Sequence, residues 1–102
     1  MRISITQPAE LGSLVRATRK AQKLRQDDAA GAIGVSDVFL MRLENGAPGA
    51  RLDKILQVLN ELGIVLFADM PDDVSQQYLD LMNKKKGGVK SKSVVKTKNA
   101  RA

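Results

Sequence analysis

The segment from Leu24 to Gly46, LRQDDAAGAIGVSDVFLMRLENG, constrains this chain more than any other, because it spells two short helices around one sharp corner. Ala30 is small where two helix backbones would have to approach, and Gly34 can take the positive φ angle that closes the turn. Ser36 restarts the helix as an N-cap, since its hydroxyl can accept from a free amide of the first turn. Leu24, Ala29, Ile33, Val35, Leu40 and Leu43 recur at helical spacing on both sides of the corner and predict one shared core. Asn45-Gly46 then closes the second helix, as the residues that most cheaply occupy a left-handed cap.

Helix, turn and helix in this order resemble the helix-turn-helix of phage repressors and their bacterial relatives. The resemblance implies that Gln26, which begins the first helix of the motif, touches the DNA backbone. It also implies that the start of the second helix, at Ser36, Asp37 and Val38, enters the major groove. Arg42 lies one helical turn further along the same face, within reach of a guanine edge or a phosphate, and is the best single candidate for a base reader.

Each of these residues also has a plainer role. Ser36 serves as a cap with or without a base contact. Asp37 is favourable at a helix N-terminus through the macrodipole alone, or accepts from a cytosine amino group. Val38 meets a thymine methyl group or packs on a neighbour. Phe39 packs beneath the helix rather than stacking on a base.

The repressor resemblance further implies a structural ion pair between Arg19 and Glu44, where spacing alone allows two independently solvated charges. The pattern departs from that family at Arg25, where Ser or Thr usually caps the helix that Gln26 begins. Arginine cannot accept a backbone N–H, so that helix relies on Asp27 and Asp28 for its dipole, and Arg25 becomes available for a phosphate.

The chain has 102 residues, enough for one domain with a small core that a dimer would enlarge. With no Cys and no His, disulfides, thiol and imidazole catalysis and the usual zinc sites are excluded, and no phosphate-binding glycine fingerprint appears. The expectation is a protein that is not an enzyme and needs no cofactor or metal. No apolar run approaches membrane-spanning length and the start, MRISITQPAE, lacks a signal-peptide core, so the expected location is the bacterial cytoplasm, at the nucleoid, with no membrane contact.

Net charge is +6, but its distribution is uneven. Residues 83–102 carry eight basic side chains and no acid, which leaves the body with nine basic and eleven acidic residues. Lys, Gly, Ser and Thr dominate that tail and predict disorder; a lysine-rich tail either solvates or wraps neighbouring phosphates without adding sequence choice.

Elsewhere, Ile3 and Ile5 alternate with polar residues as a short strand or arm, and Pro8 opens a first helix with Leu11, Leu14, Val15 and Thr18 on its inner stripe. Ala47-Pro48-Gly49 is a loop, followed by a fourth helix from about Arg51 to Leu62 that should bury Leu52, Ile55, Leu56 and Leu59. The start of that helix and Arg51 could bind phosphate. Ile64, Val65, Leu66, Phe67 and Ala68 form an apolar run that reads as a strand. A lone strand leaves its edges unpaired, and pairing with the same strand of a second chain about a two-fold axis predicts a homodimer. The run packing across its own helices, or pairing with Ile3 to Ile5, is the alternative. Asp72 to Met82 reads as a short amphipathic helix with Val74, Tyr78, Leu79 and Met82 at helical spacing, docked on its own fold or touching a partner.

The expected architecture is therefore mainly α, a repressor-like fold of five helices: four in a DNA-binding domain over 1–70 with a dimerising strand at 64–68, the fifth a short helix over 71–82, followed by a tail over 83–102. From Glu10 to Pro71 the chain resembles HipB-type antitoxins. LGSLVRATRKA matches their first helix, VSDVFLMRLENG their reader, and ARLDKILQVLNELGIVLF their fourth helix and strand. The resemblance implies a dimeric autorepressor that binds palindromic operator DNA and holds a HipA-type serine/threonine kinase toxin. A free-standing regulator without a toxin, or a nucleoid-like binder driven by the tail, stays open on the residues alone.

Overall fold

The computed structural model describes residues 1–86, side chains included to residue 84. Its contacts divide the chain into two units, Met1–Leu66 and a second beginning at Phe67. The first holds four helices: α1 (Pro8–Ala21), α2 (Gln26–Ile33), α3 (Asp37–Glu44) and α4 (Leu52–Leu62). The second holds a single 3-10 turn, Asp72–Val74, and α5 (Ser75–Lys86).

Helix α1 starts where Pro8 supplies a preset φ and needs no amide partner. The Glu10 carboxylate folds back to accept from the amides of Thr6 at 2.6 Å and Gln7 at 3.1 Å. Those backbone bonds hold its carboxyl below the ordinary range. At the other end Lys23 adopts φ 61°, a left-handed residue that turns the chain towards α2.

Helices α2 and α3 meet at Gly34, whose φ of 95° is left-handed. The amides of Gly34 and Val35 both reach the Ala30 carbonyl, at 2.9 and 3.0 Å, so the last turn of α2 is closed within the corner itself. Ala30 is wholly buried there. Helix α3 ends in a Schellman arrangement: the Ala47 amide reaches the Arg42 carbonyl at 2.9 Å and the Gly46 amide the Leu43 carbonyl at 3.0 Å.

Val15, Ala29, Ala30, Leu40, Leu43, Val58 and Leu59 form the centre of the core, with Leu11, Leu24, Phe39, Ile55 and Ile64 packed around it. Two glutamines close helix ends across the core. Gln57 Nε2 donates to the Ile33 carbonyl at 2.8 Å, and Gln22 Nε2 donates to the Leu62 carbonyl at 3.1 Å. Both carbonyls belong to last turns that lack intrahelical donors.

The phase of α4 differs from the expected one. Its inner stripe is Ile55, Val58, Leu59 and Leu62, which rotates Leu52 and Leu56 onto an outer flank, where both are exposed. Gly63 (φ 80°) then ends the helix, and Ile64 returns to the core through its amide bond to the Leu59 carbonyl at 2.8 Å. Residues 64–70 form no strand, and none occurs among the described residues; the run 1–6 is likewise irregular and exposed. A strand needs a neighbouring ladder, and neither the arm nor any other of the described residues supplies one.

In the second unit, α5 begins later than the amphipathic pattern implied and continues through Lys86, so residues 83–86, read as the start of a tail, are helical. Leu79 and Met82 are half-buried, whereas Tyr78 and Leu81 are exposed. The remainder of the tail, 87–102, lies outside the described residues.

Gly12 decides how closely α1 and α3 approach. A Cβ placed there would collide with the Leu43 carbonyl oxygen and stand 2.7 Å from that of Glu44, both backbone atoms at the end of α3. Gly12→Ala is expected to force the helices apart and to cost about 1–3 kcal/mol, because backbone cannot yield as a side chain tip would. Chemical denaturation followed by circular dichroism reads this, and an unchanged midpoint would contradict the close packing.

Candidate nucleic-acid interface

The second helix of the corner, α3, carries two opposite faces. Leu40 and Leu43 point into the core, while Asp37, Val38, Met41 and Arg42 are all exposed. Its start is fixed by Ser36, whose Oγ accepts from the Phe39 amide at 3.0 Å. A hydroxyl that accepts in this way keeps its own proton free to donate, so capping does not consume Ser36 as a contact. Asp37, the first residue of the helix, sits at the positive end of the dipole.

The far end of α3 is held by a buried cluster. Arg19 Nε donates to Glu44 Oε2 at 2.7 Å and Arg19 Nη2 to Glu44 Oε1 at 2.9 Å, a two-pronged pair on side chains only 9 % and 1 % exposed. The third arm of the guanidinium, Nη1, donates to the Leu24 carbonyl at 2.8 Å. Gln26 Nε2 completes the group by donating to Glu44 Oε1 at 3.1 Å. The carboxylate thus ties α1 and the first residue of α2 to the last residue of α3, and the same guanidinium holds the loop before α2. The hydrogen bonds to Glu44 raise the Arg19 pKa further above its already high ordinary value, so the guanidinium keeps its charge.

The remaining cations differ in their freedom. Arg25 pairs with Asp27 at 3.1 Å, and Arg51 grips both oxygens of Asp53, at 2.6 and 3.1 Å; all four side chains are well exposed. The Arg51 guanidinium holds the Asp53 carboxyl below its usual range. Surface pairs of this kind contribute little and exchange readily for a phosphate. The Arg42 side chain makes no hydrogen bond or ion pair among the described residues and is exposed on α3.

The structure therefore brings Ser36, Asp37, Val38 and Arg42 onto one helix, with Gln26 at the adjoining helix start, and leaves Arg25 and Arg51 at the N-caps of α2 and α4. Two features escaped the sequence reading. Met41 occupies the outer face of α3 among the named residues, a position legible from helical phase. The tie between Gln26 and Glu44 carries no sequence signal, since it joins residues 18 apart through a side-chain contact.

Such a pair of helices, with a polar-rimmed outer face on the second, is a helix-turn-helix, and residues 10–64 match the family model described as a helix-turn-helix domain. The chain belongs to that family. It is 52 % identical over 59 residues to the HTH-type transcriptional regulator y4mF of Sinorhizobium fredii, a match covering 58 % of this chain and 78 % of that protein. Among solved structures, a chain of the HipA-HipB-O2-O3 complex superimposes with a TM-score of 0.62 at 18 % identity, covering 70 % of this chain and all of that one. A HipB-O4 20mer complex gives 0.61 at the same identity and coverage. The fold is thus HipB-like. No helix among the described residues is long and apolar enough to cross a membrane, and their Asp and Glu side chains form no group that could hold a metal ion.

Proposed function

We propose that this helix-turn-helix protein is a sequence-specific operator binder that acts as a homodimer, represses its own operon and neutralises a HipA-type serine/threonine kinase toxin. The observation that carries the DNA part is the outer face of α3. Four side chains of differing chemistry stand exposed on one rigid helix, fixed at its start by the Ser36 cap and at its end by the Arg19–Glu44 pair. A rigid donor and acceptor set on a helix is what direct readout of base edges requires.

Within this scheme Arg42 reads a guanine edge, Asp37 accepts from a cytosine amino group and Val38 meets a thymine methyl group. Ser36, Gln26, Arg25 and Arg51 place the domain on phosphates. Arg25 and Arg51 do so by exchanging their exposed carboxylate partners. One short helix reads only a few base pairs, so two copies about a two-fold axis would read a palindrome with half-sites one helical turn apart. The apolar run Ile64, Val65, Leu66 and Phe67 supplies the surface for that pairing. Val65 and Phe67 are 69 % and 81 % exposed in the single chain, apolar area that a second copy would take out of water. Nothing in this scheme calls for enzyme chemistry, and its setting is the bacterial cytoplasm.

The antitoxin part is supported by the sequence words shared with HipB-type antitoxins and by the HipB-like fold. Arg42→Ala is expected to weaken binding to the selected operator by about 1–3 kcal/mol while sparing affinity for random duplex. Fluorescence anisotropy on both duplexes checks it; an equal loss on the two would assign Arg42 to phosphate contact alone. Co-purification from the native operon with mass identification tests the toxin: a HipA-type kinase should come with the protein, and a chain recovered only with itself would leave a free-standing regulator.

A further inference from the structure

From the outer face of α3 we infer that Met41 is a specificity-determining residue: with Val38 it forms an apolar strip that selects the 5-methyl group of a thymine in the half-site. The inference rests on the proposal that α3 reads DNA, and deepens it.

The grounds are helical phase, exposure and chemistry. Leu40 and Leu43 are buried, at 0 % and 4 %, whereas Met41, between them in sequence, is 42 % exposed and Val38 59 %. Residues three apart on a helix are surface neighbours, so Val38 and Met41 form one continuous apolar patch. Asp37, four residues before Met41, and Arg42, four after Val38, flank this patch on the same exposed face. In the free protein about two-fifths of Met41 and more than half of Val38 stay in water, exposure that an apolar partner would relieve. In the major groove the thymine methyl is the apolar group that base pairs offer, and it distinguishes that base from cytosine. Methionine suits the contact, because its unbranched thioether chain can follow the groove as the helix docks.

Burying one methyl group against an apolar neighbour is worth about a factor of four in affinity. Uracil keeps every hydrogen-bonding group of thymine and lacks only that methyl, which makes it the cleanest probe. The preferred duplex is first selected by the full chain from a randomised library. Each of its thymines is then replaced singly by uracil, and affinities are measured for the wild type, Met41→Ala and Met41→Leu. At one thymine per half-site, uracil should weaken the wild type and Met41→Leu about fourfold and Met41→Ala clearly less, by no more than Val38 retains. Indifference of the wild type to every uracil, or an equal uracil penalty in wild type and Met41→Ala at each position, would overturn the role of Met41 while leaving DNA reading by α3 intact. A library that yields no preferred duplex would overturn both. Because Met41 is exposed and its backbone helical, Met41→Ala should melt with the wild type, and a folding loss that Met41→Leu shares would also refute a reading role.

Discussion

Glu44→Ala is expected to destabilise the domain by about 3–5 kcal/mol, the cost typical of stranding one member of a buried ion pair. In a domain of this size that lowers the melting temperature by more than about 12 °C. The size follows from what the carboxylate holds: two arms of Arg19 at 2.7 and 2.9 Å and the Gln26 amide at 3.1 Å. Removing it leaves a guanidinium that is 9 % exposed with only the Leu24 carbonyl for company. The penalty belongs to the orphaned charge more than to the attraction that was lost. An Arg19→Met, Glu44→Leu double variant should therefore recover most of the stability, since apolar replacements of a buried pair are often neutral. Thermal melts of the three proteins decide this. If Glu44→Ala melts with the wild type, the pair is not the fastener of α3.

The second large effect concerns assembly. Val65→Asp, with Phe67→Asp as a companion, is expected to convert a dimer into monomers and to weaken operator binding by about a hundredfold or more, because the second half-site contact ceases to be intramolecular. Within one chain Val65 is 69 % exposed, so the substitution costs the monomer fold little, and circular dichroism should show α1 to α4 retained. Sedimentation equilibrium reads the assembly directly. A Val65→Asp protein that still sediments as a dimer would place the two-fold contact elsewhere.

The features that local chemistry dictates were legible in the residues. Gly34 and Ser36 announced the corner, Asn45-Gly46 the end of α3, and Pro8 the start of α1, because each acts through its own backbone or the next turn. What the residues did not announce depends on contacts made at a distance. Leu52 and Leu56 fit an apolar stripe as well as Val58 and Leu62 do, and only packing against the other helices fixes which stripe faces inward. Residues 64–68 have strand composition, yet composition cannot provide a ladder, and the single chain leaves them irregular. Gly12 looks like a weak helix residue until the α3 carbonyls stand over it. At the site, helical phase assigned Asp37, Val38 and Arg42 to one face, and the same phase includes Met41. That Gln26 is bound to Glu44 while also beginning α2 required the folded arrangement, and it links the buried pair to the first residue expected to meet a phosphate.

In the proposed scheme the helix-turn-helix supplies sequence choice, and the lysine-rich tail supplies at most general attraction. The most direct test of this division is the ratio of affinities, at one fixed salt concentration, for the selected palindrome and for a scrambled duplex of equal length and composition. Reading by α3 predicts a ratio of about 10³ or more, retained when residues 87–102 are deleted even though both affinities fall. A ratio near one, or a preference that vanishes with the tail, would contradict it.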